Sequence, residues 1–310
     1  MGFRTFFAIL LILVPSLRAG GDATGESQPA RVRVAGSKLI QPLVEAWGRQ
    51  LAERGIVVEA QGRGSSTGPP ALLVGRADVA SMSRPMQGAE IGAFRRRVGR
   101  DPTPIPVAID AVAVLVHASN PLERLTLSEL DAVFSMTRYC GAAASLSTWG
   151  ELGLPGEWAE RSIGLYGGDW SSATQAFMRT VALCGGLFRT DVRAIPGGAS
   201  AVKSIAESRY GIGYVSRGQV TTEVKLLALA RSGDEPFLAP TAESVASGAY
   251  PLSRKLLLYV SRSGDGELSP AVDAFIRHVL SEPGRAVVEQ HGYVPPPPES
   301  VQASLAILED

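Results

Sequence analysis

Apolar and polar positions alternate along this chain in two rhythms, one of strands and one of helices. VRVAGS (residues 32–37) reads as a short strand, and Ile40, Leu43, Val44, Trp47 and Leu51 then recur at helical spacing. IVVEA, GRGSSTGPP and ALLVGRA repeat the unit as strand, turn and helix, with Pro69 or Pro70 at the first helical position, where a missing N–H is tolerated. IPVAIDAVAVLVHASNP predicts a long buried strand over residues 105–116, and in TLSELDAVF the spacing of Thr126 and Glu129 predicts a capping box that opens a helix. IGLYGGDWSSATQAFMRTV (residues 163–181) predicts a third strand, turn and helix, with Ala173, Ala176, Phe177, Thr180 and Val181 on one helix face. YGIGYVS (210–216) and RKLLLYVS (254–261) add strands, and Ala271, Phe275, Ile276, Val279 and Leu280 mark a late helix. Strands alternating with helices predict an α/β chain with a mostly parallel sheet. The proline run at residues 295–298 reads as an extended tail segment.

The N-terminus says where the protein works. Arg4 precedes the apolar run FFAILLILV (residues 6–14), followed by Pro15 and the small residues Ala19 and Gly20, the pattern of a secretory signal peptide over residues 1–22. Cleavage is expected near Ala19 or Ala23; an uncleaved anchor is the alternative. The run is too short to span a bilayer well, and no Cys follows it to carry a bacterial lipoprotein anchor. A soluble, periplasmic or otherwise exported protein is expected.

What remains of the 310 residues is long enough for two domains with real cores, and 45% hydrophobic content fits a globular protein. Thirty Lys plus Arg balance thirty Asp plus Glu, which argues against a large basic nucleic-acid surface and leaves anion recognition to a local site. Arg95, Arg96 and Arg97 read as a solvated helix face. Cys140 and Cys184 are the only cysteines, and in an exported protein such a pair predicts a disulfide. Without a CxxC motif and with three His, a metal site is not expected, and nothing implies a cofactor.

Three strand-to-helix turns, at residues 37–39, 65–67 and 171–174, share a chemistry. Gly, Ser and Thr at a helix start are capping residues first. They also offer free N–H groups, hydroxyl donors and the positive end of a helix dipole, which suit phosphate-like oxygens. Three such turns in an exported two-domain α/β chain point to a ligand held between lobes at strand C-terminal ends.

AGSKLIQPLVEAW, GRGSSTGPPALLVGRADVASMSRPM, PVAIDAVAVLVHASNP, LTLSELDAVFS, CG followed by TWGELGL, YGGDWSSATQAFM, YGIGYVS and YPLSRKLLLYV stand in one order over nearly the whole mature chain. In this the sequence resembles the phosphate-binding proteins of bacterial ABC transporters, of the type II periplasmic binding protein superfamily. The resemblance implies two lobes, each a mixed sheet flanked by helices, joined by crossover strands: residues 30–108 with 253–310, and residues 109–252. It implies a monomer that captures inorganic phosphate without enzymatic chemistry and delivers it to an ABC permease. Carried onto this chain, the ligand contacts fall on Ser37, Lys38 and Leu39, on Ser65, Ser66 and Thr67, and on Ser172, Ala173 and Thr174.

Two departures from the family pattern bear on affinity. The family's third motif carries Tyr-Gly-Arg where this chain has Tyr166, Gly167 and Gly168. A charge-assisted contact contributes about 1.5–3 kcal/mol, so its loss predicts roughly tenfold to hundredfold weaker binding unless another group compensates. Arg84 is the candidate; a rim or inter-lobe salt bridge is its other reading. Ser83 stands where some members carry a carboxylate that accepts the proton of phosphate, and a hydroxyl does not impose that test. Asp110 is a candidate for the lost acceptor, with a hinge or salt-bridge role as its alternative. Trp170 reads as core packing. A sensing or scaffold paralogue with weakened capture is a second reading of the chain. A serine hydrolase is a third, with Ser66 as nucleophile of a G-x-S-x-G elbow, His291 as base and Asp265 or Asp273 as its orienter.

Overall fold

The computed structural model describes residues 29–170, 172–262 and 267–309. The signal-peptide segment, Ser171 and Asp265 lie outside the described residues. In chain order the elements are β1 (Ala30–Gly36), α1 (Gln41–Ala52), β2 (Ile56–Gly62), α2 (Gly68–Leu73), β3 (Val79–Met82), α3 (Gly88–Val98), β4 (Thr103–His117), β5 (Arg124–Thr126) and α4 (Leu127–Phe134). There follow β6 (Gly164–Gly168), α5 (Ala173–Val181), β7 (Arg193–Ile195), α6 (Gly198–Ala206), β8 (Gly211–Ser216), β9 (Val224–Leu226), β10 (Ala228–Ala230) and α7 (Ala242–Ala246). The last elements are β11 (Ser253–Val260), α8 (Pro270–Leu280), α9 (Glu282–Gln290) and α10 (Pro298–Glu309).

Instead of two separate sheets, the strands form one continuous nine-stranded mixed sheet in the order β2-β1-β3-β11-β4-β8-β6-β7, with β9 also paired to β4; β5 and β10 make a small second sheet. The reason is the length of β4. Over its first part, from Thr103 to Ala111, it pairs with β11, and at Val112 the antiparallel partner becomes β8, so the ladder passes from one half of the molecule to the other without a break. The sheet is parallel on its two flanks, where strand-helix-strand units supply it, and antiparallel at the centre, where β4 and β11 run in opposite senses.

Apolar side chains divide on either side of that handover. Val32, Val34, Leu43 and Trp47 pack with Phe275, Ile276, Val279 and Val288 in one core. Val112, Val114, Phe134, Trp149, Leu165 and Tyr214 form the other. Trp47 donates its indole N–H to the Gly284 carbonyl at 2.9 Å, so α1 is fixed to α9 by a satisfied polar group as well as by burial. The Thr126–Glu129 capping box is present at the start of α4, with both reciprocal bonds made.

Local details depart from the sequence expectation in two places. α2 stops at Leu73, and Gly75 takes φ 68° just beyond, so the apolar run is shorter than its composition suggests. The proline run is not all extended tail: Pro298 begins α10, which places Val301 and Leu308 in the first core. Proline at the first helical position loses no helical hydrogen bond, so the run marks a helix start.

Cys140 and Cys184 form a disulfide across 44 positions, with Cα atoms 5.3 Å apart. It ties the segment after α4 to the end of α5. Replacing both cysteines by serine is expected to lower the unfolding free energy by about 2–4 kcal/mol, from the chain entropy of a loop this long, and urea unfolding of the two proteins measures it.

Candidate functional site

A cavity of about 930 Å³ opens beside the point where β4 changes partners, and its wall draws on both halves of the sheet. Ser37, Lys38 and Leu39 reach it from the end of β1, Ser65 from the turn after β2, Ser83 and Arg84 from the end of β3, and Ser172, Ala173 and Thr174 from the start of α5. Nine of the sequence-derived candidates thus share one wall. Ser66, Thr67 and Asp110 do not line it. Ser66 points to solvent, the Thr67 hydroxyl donates to the Gly64 carbonyl at 2.8 Å, and Asp110 is fully buried behind the wall.

The donors in the three turns are not equally free. At the first turn Gly36 has φ 140° and lies so close to β3 that an added Cβ would sit 2.1 Å from the Ser81 carbonyl oxygen, which explains a glycine there. The next amide, Ser37 N–H, is consequently spent on Ser81, at 2.8 Å to its carbonyl and 3.0 Å to its Oγ. Leu39 N–H donates to Ser37 Oγ at 3.2 Å. At the second turn Ser65 Oγ accepts from Ser83 N–H at 3.0 Å and lies 3.0 Å from Ser83 Oγ, so the two hydroxyls face the cavity as a linked pair.

At the third turn Ser172 caps α5 by accepting from Gln175 N–H at 3.0 Å, which leaves its own O–H as a donor. The amides of Ala173 and Thr174 occupy the first helical positions, where no intrahelical acceptor exists. Among the described residues, the heavy atom that a Cβ added at Gly168 would meet within 4 Å is Ser172 Oγ, at 3.1 Å. The helix face of Ala173, Ala176, Phe177, Thr180 and Val181 fronts the cavity, while Gln175 and Met178 take the buried side.

Arg84 makes a two-pronged bond to Glu90, at 2.8 Å to each carboxylate oxygen, and also donates to the Pro85 carbonyl. That bond holds the Glu90 carboxyl below, and the Arg84 guanidinium above, their ordinary values. The rim salt bridge describes Arg84 in this structure. Asp110 is likewise engaged: Ser216 Oγ donates to its Oδ1 at 2.6 Å, and Arg254 donates to its Oδ2 from Nε at 2.9 Å and from Nη2 at 2.6 Å. With both oxygens taken, Asp110 is the salt-bridge partner of its alternative reading. Trp170 is not in the core; it is 56% exposed, its ring edge-on to Phe188 with centroids 5.9 Å apart.

Arg254, Ser216, Ser253, Tyr214 and Gln175 were not singled out from the sequence. Tyr214 donates to Gln175 Oε1 beneath α5, and burial pushes the tyrosine hydroxyl well above its usual range. Gln175 Nε2 and Ser253 Oγ are buried without a hydrogen-bond partner among the described residues. One signal for Arg254 was available: it is a charge at the head of the apolar strand LLLYV.

The fold and the cleft between its two halves are those of a solute-binding protein. A family model described as a PBP superfamily domain matches residues 23–283. The phosphate-binding protein PstS of Pseudomonas aeruginosa is 38% identical over 296 residues, spanning 95% of this chain and 91% of the relative. Protein SphX of Synechococcus elongatus is 26% identical over 90% of this chain and 81% of its own. Among solved structures, a possible phosphate binding protein from Planctomyces limnophilus superposes with a TM-score of 0.72 at 24% identity, over 92% of this chain and 99% of that one. An ABC-type phosphate transport receptor from Vibrio cholerae gives 0.71 at 20% identity, over 86% and 100%. The chain belongs to the PstS-like phosphate-binding proteins of the PBP superfamily, a non-enzymatic family.

The hydrolase alternative is overturned. Besides the exposure of Ser66, His291 Nδ1 is 2.8 Å from the Val287 carbonyl and so donates to it, and Asp273 is paired with Arg277 at 2.9 Å. Among the described residues, neither side chain is bonded to the GSSTG turn.

Asp110→Asn is expected to cost about 3–5 kcal/mol of stability, because it strands a guanidinium whose side chain is only 4% exposed. Glu90→Gln, on the half-buried rim pair, is expected to cost less than about 1 kcal/mol. Denaturant unfolding of both variants checks the contrast.

Proposed function

We propose that this protein captures inorganic phosphate in the cleft and delivers it to the permease of an ABC importer as an exported, soluble receptor. The observation that carries the reading is the convergence of Lys38, the Ser65–Ser83 hydroxyl pair and the first turn of α5 from three distant chain segments on one cavity wall, in a chain 38% identical to a phosphate-binding protein. Among the described residues no helix is long and apolar enough to cross a membrane.

In this reading the molecule works as two lobes, residues 30–108 with 253–310 and residues 109–252, hinged where β4 exchanges β11 for β8. Ser65, Ser83 and the Lys38 amide present donors from the first lobe; the Ser172 hydroxyl and the Ala173 and Thr174 amides present them from the second. A dehydrated tetrahedral dianion needs donors on all its oxygens, and one lobe supplies only some of them. Phosphate therefore favours the closed form by its differential contacts with it. Ser37 and Leu39 act through the turn they build, since their amides are already bonded.

Calorimetric titration of the mature protein, stripped of bound anion, is expected to give micromolar or tighter phosphate binding, and X-ray scattering is expected to show contraction on binding. Absence of heat with phosphate would sink the transport reading and favour the sensing or scaffold one. Because Ser83 sets no protonation test, Asp110 lies behind the wall with both oxygens bonded, and Asp169 is the carboxylate on the wall, sulfate is expected to bind within about tenfold of phosphate unless Asp169 accepts a proton from the ligand. A thousandfold preference in the same titration would contradict that account of selectivity.

A further inference from the structure

With glycine at position 168, the third turn supplies no cation of its own. Five basic residues stand on the cavity wall: Lys38, Arg63, Arg84, Arg254 and Lys255. Lys38, Arg63 and Lys255 are exposed, and Arg84 is bound to Glu90 at the rim. Arg254 alone among them is buried, and it alone touches the start of α5. We infer that Arg254, carried on the crossover strand β11, is the cationic ligand of the bound anion. The inference rests on the phosphate reading of the cleft.

A count of donors supports it. A guanidinium has five N–H groups. In Arg254, Nε and one Nη2 hydrogen go to Asp110, the other Nη2 hydrogen to Thr174 Oγ1 at 3.2 Å, and one Nη1 hydrogen to the Ala173 carbonyl at 2.7 Å. Among the described residues the second Nη1 hydrogen has no acceptor. Thr174 Oγ1 accepts from the arginine, so its own proton remains available. Ser253, the preceding residue on β11, has a buried hydroxyl without a partner and lines the same cavity. The unspent Arg254 and Thr174 donors therefore lie at the start of α5 with the free amides of Ala173 and Thr174, where the helix end favours negative charge, and Ser253 lines the same cavity.

The surroundings hold the guanidinium in that orientation. Asp110 grips it from behind with an oxygen that is itself part of a satisfied carboxylate, and the Phe177 ring lies 4.9 Å from its central carbon. The desolvation that makes a buried charge costly also makes its bond to an anion stronger than one at the exposed rim. Because Arg254 belongs to β11 and the amides to α5, an anion bound to both is held by the two halves of the sheet together.

The test is phosphate titration of anion-free wild type, Arg84→Gln, Arg254→Lys and the double variant Asp110→Asn/Arg254→Gln, which removes the buried pair as a unit and leaves no stranded charge. The double variant is expected to bind phosphate about 10–100-fold more weakly, Arg254→Lys to fall between it and wild type, and Arg84→Gln to stay within about threefold of wild type. The melting temperature of each unliganded variant reads the bracing role of the pair separately from the rise that a fixed phosphate concentration induces. If the double variant melts lower yet shows the wild-type phosphate-induced rise and affinity, Arg254 is a brace only and the inference is overturned. If Arg84→Gln carries the loss instead, the ligand has been misassigned. Wild type that takes up no phosphate removes the reading of the cleft, and the inference with it.

Discussion

The structure turns on one buried ion pair at one residue step. Asp110 is the residue of β4 opposite Arg254 of β11, two positions before β8 takes over at Val112, and its carboxylate receives Arg254 from one strand and Ser216 from the other. Taking both charges out of water is expensive, and the cost is offset only where every lone pair and N–H nearby is engaged. Here the carboxylate is fully used and the arginine extends the network to the carbonyl of Ala173 and the hydroxyl of Thr174. A polar junction thus sits between two apolar cores that would by themselves accept a range of relative orientations, because burial is not directional. The ion pair is directional, and it fixes where the start of α5 lies with respect to β11.

That same arrangement explains what could be read along the chain and what could not. The strands, the Thr126 capping box and the cysteine pair are written in local spacing or simple counts, and they were legible. The continuity of the sheet was not, because it depends on which neighbours β4 meets along its 15 residues, and those neighbours come from distant segments. Arg254 escaped notice for a similar reason: its partner Asp110 is 144 positions away, and a charge before an apolar strand has the same local pattern whether it faces solvent or a carboxylate.

The three turns teach a finer point. Sequence counts donors but does not reveal their commitments. Ser37 N–H, Leu39 N–H and the Thr67 hydroxyl have the residue types expected of an anion cradle, yet the first is bonded across to Ser81 of β3 and the other two within their own turns, at 2.8 to 3.2 Å. The close approach of Gly36 to Ser81 is what consumes the first of these, and only three-dimensional packing creates it. Trp170 shows the converse: a large apolar residue was expected inside, and it stands exposed between β6 and α5.

The helix face of Ala176, Phe177, Thr180 and Val181 adds a constraint on selectivity. Its periodicity is that of a core-facing stripe, yet in this structure it lines the open cleft. In the proposed closure, bringing the halves together would remove apolar surface from water whichever anion occupied the site, since the hydrophobic term responds to area and not to the charge or protonation of the ligand. Such a contribution favours closing uniformly and cannot distinguish one tetrahedral oxyanion from another. Discrimination must then come from the few polar groups that touch the ligand, and at Ser83 this chain has a hydroxyl able to donate to any of them. On that reading the cleft would reward size, charge and tetrahedral shape, and Asp169 is a carboxylate on its wall that could accept a proton from the ligand.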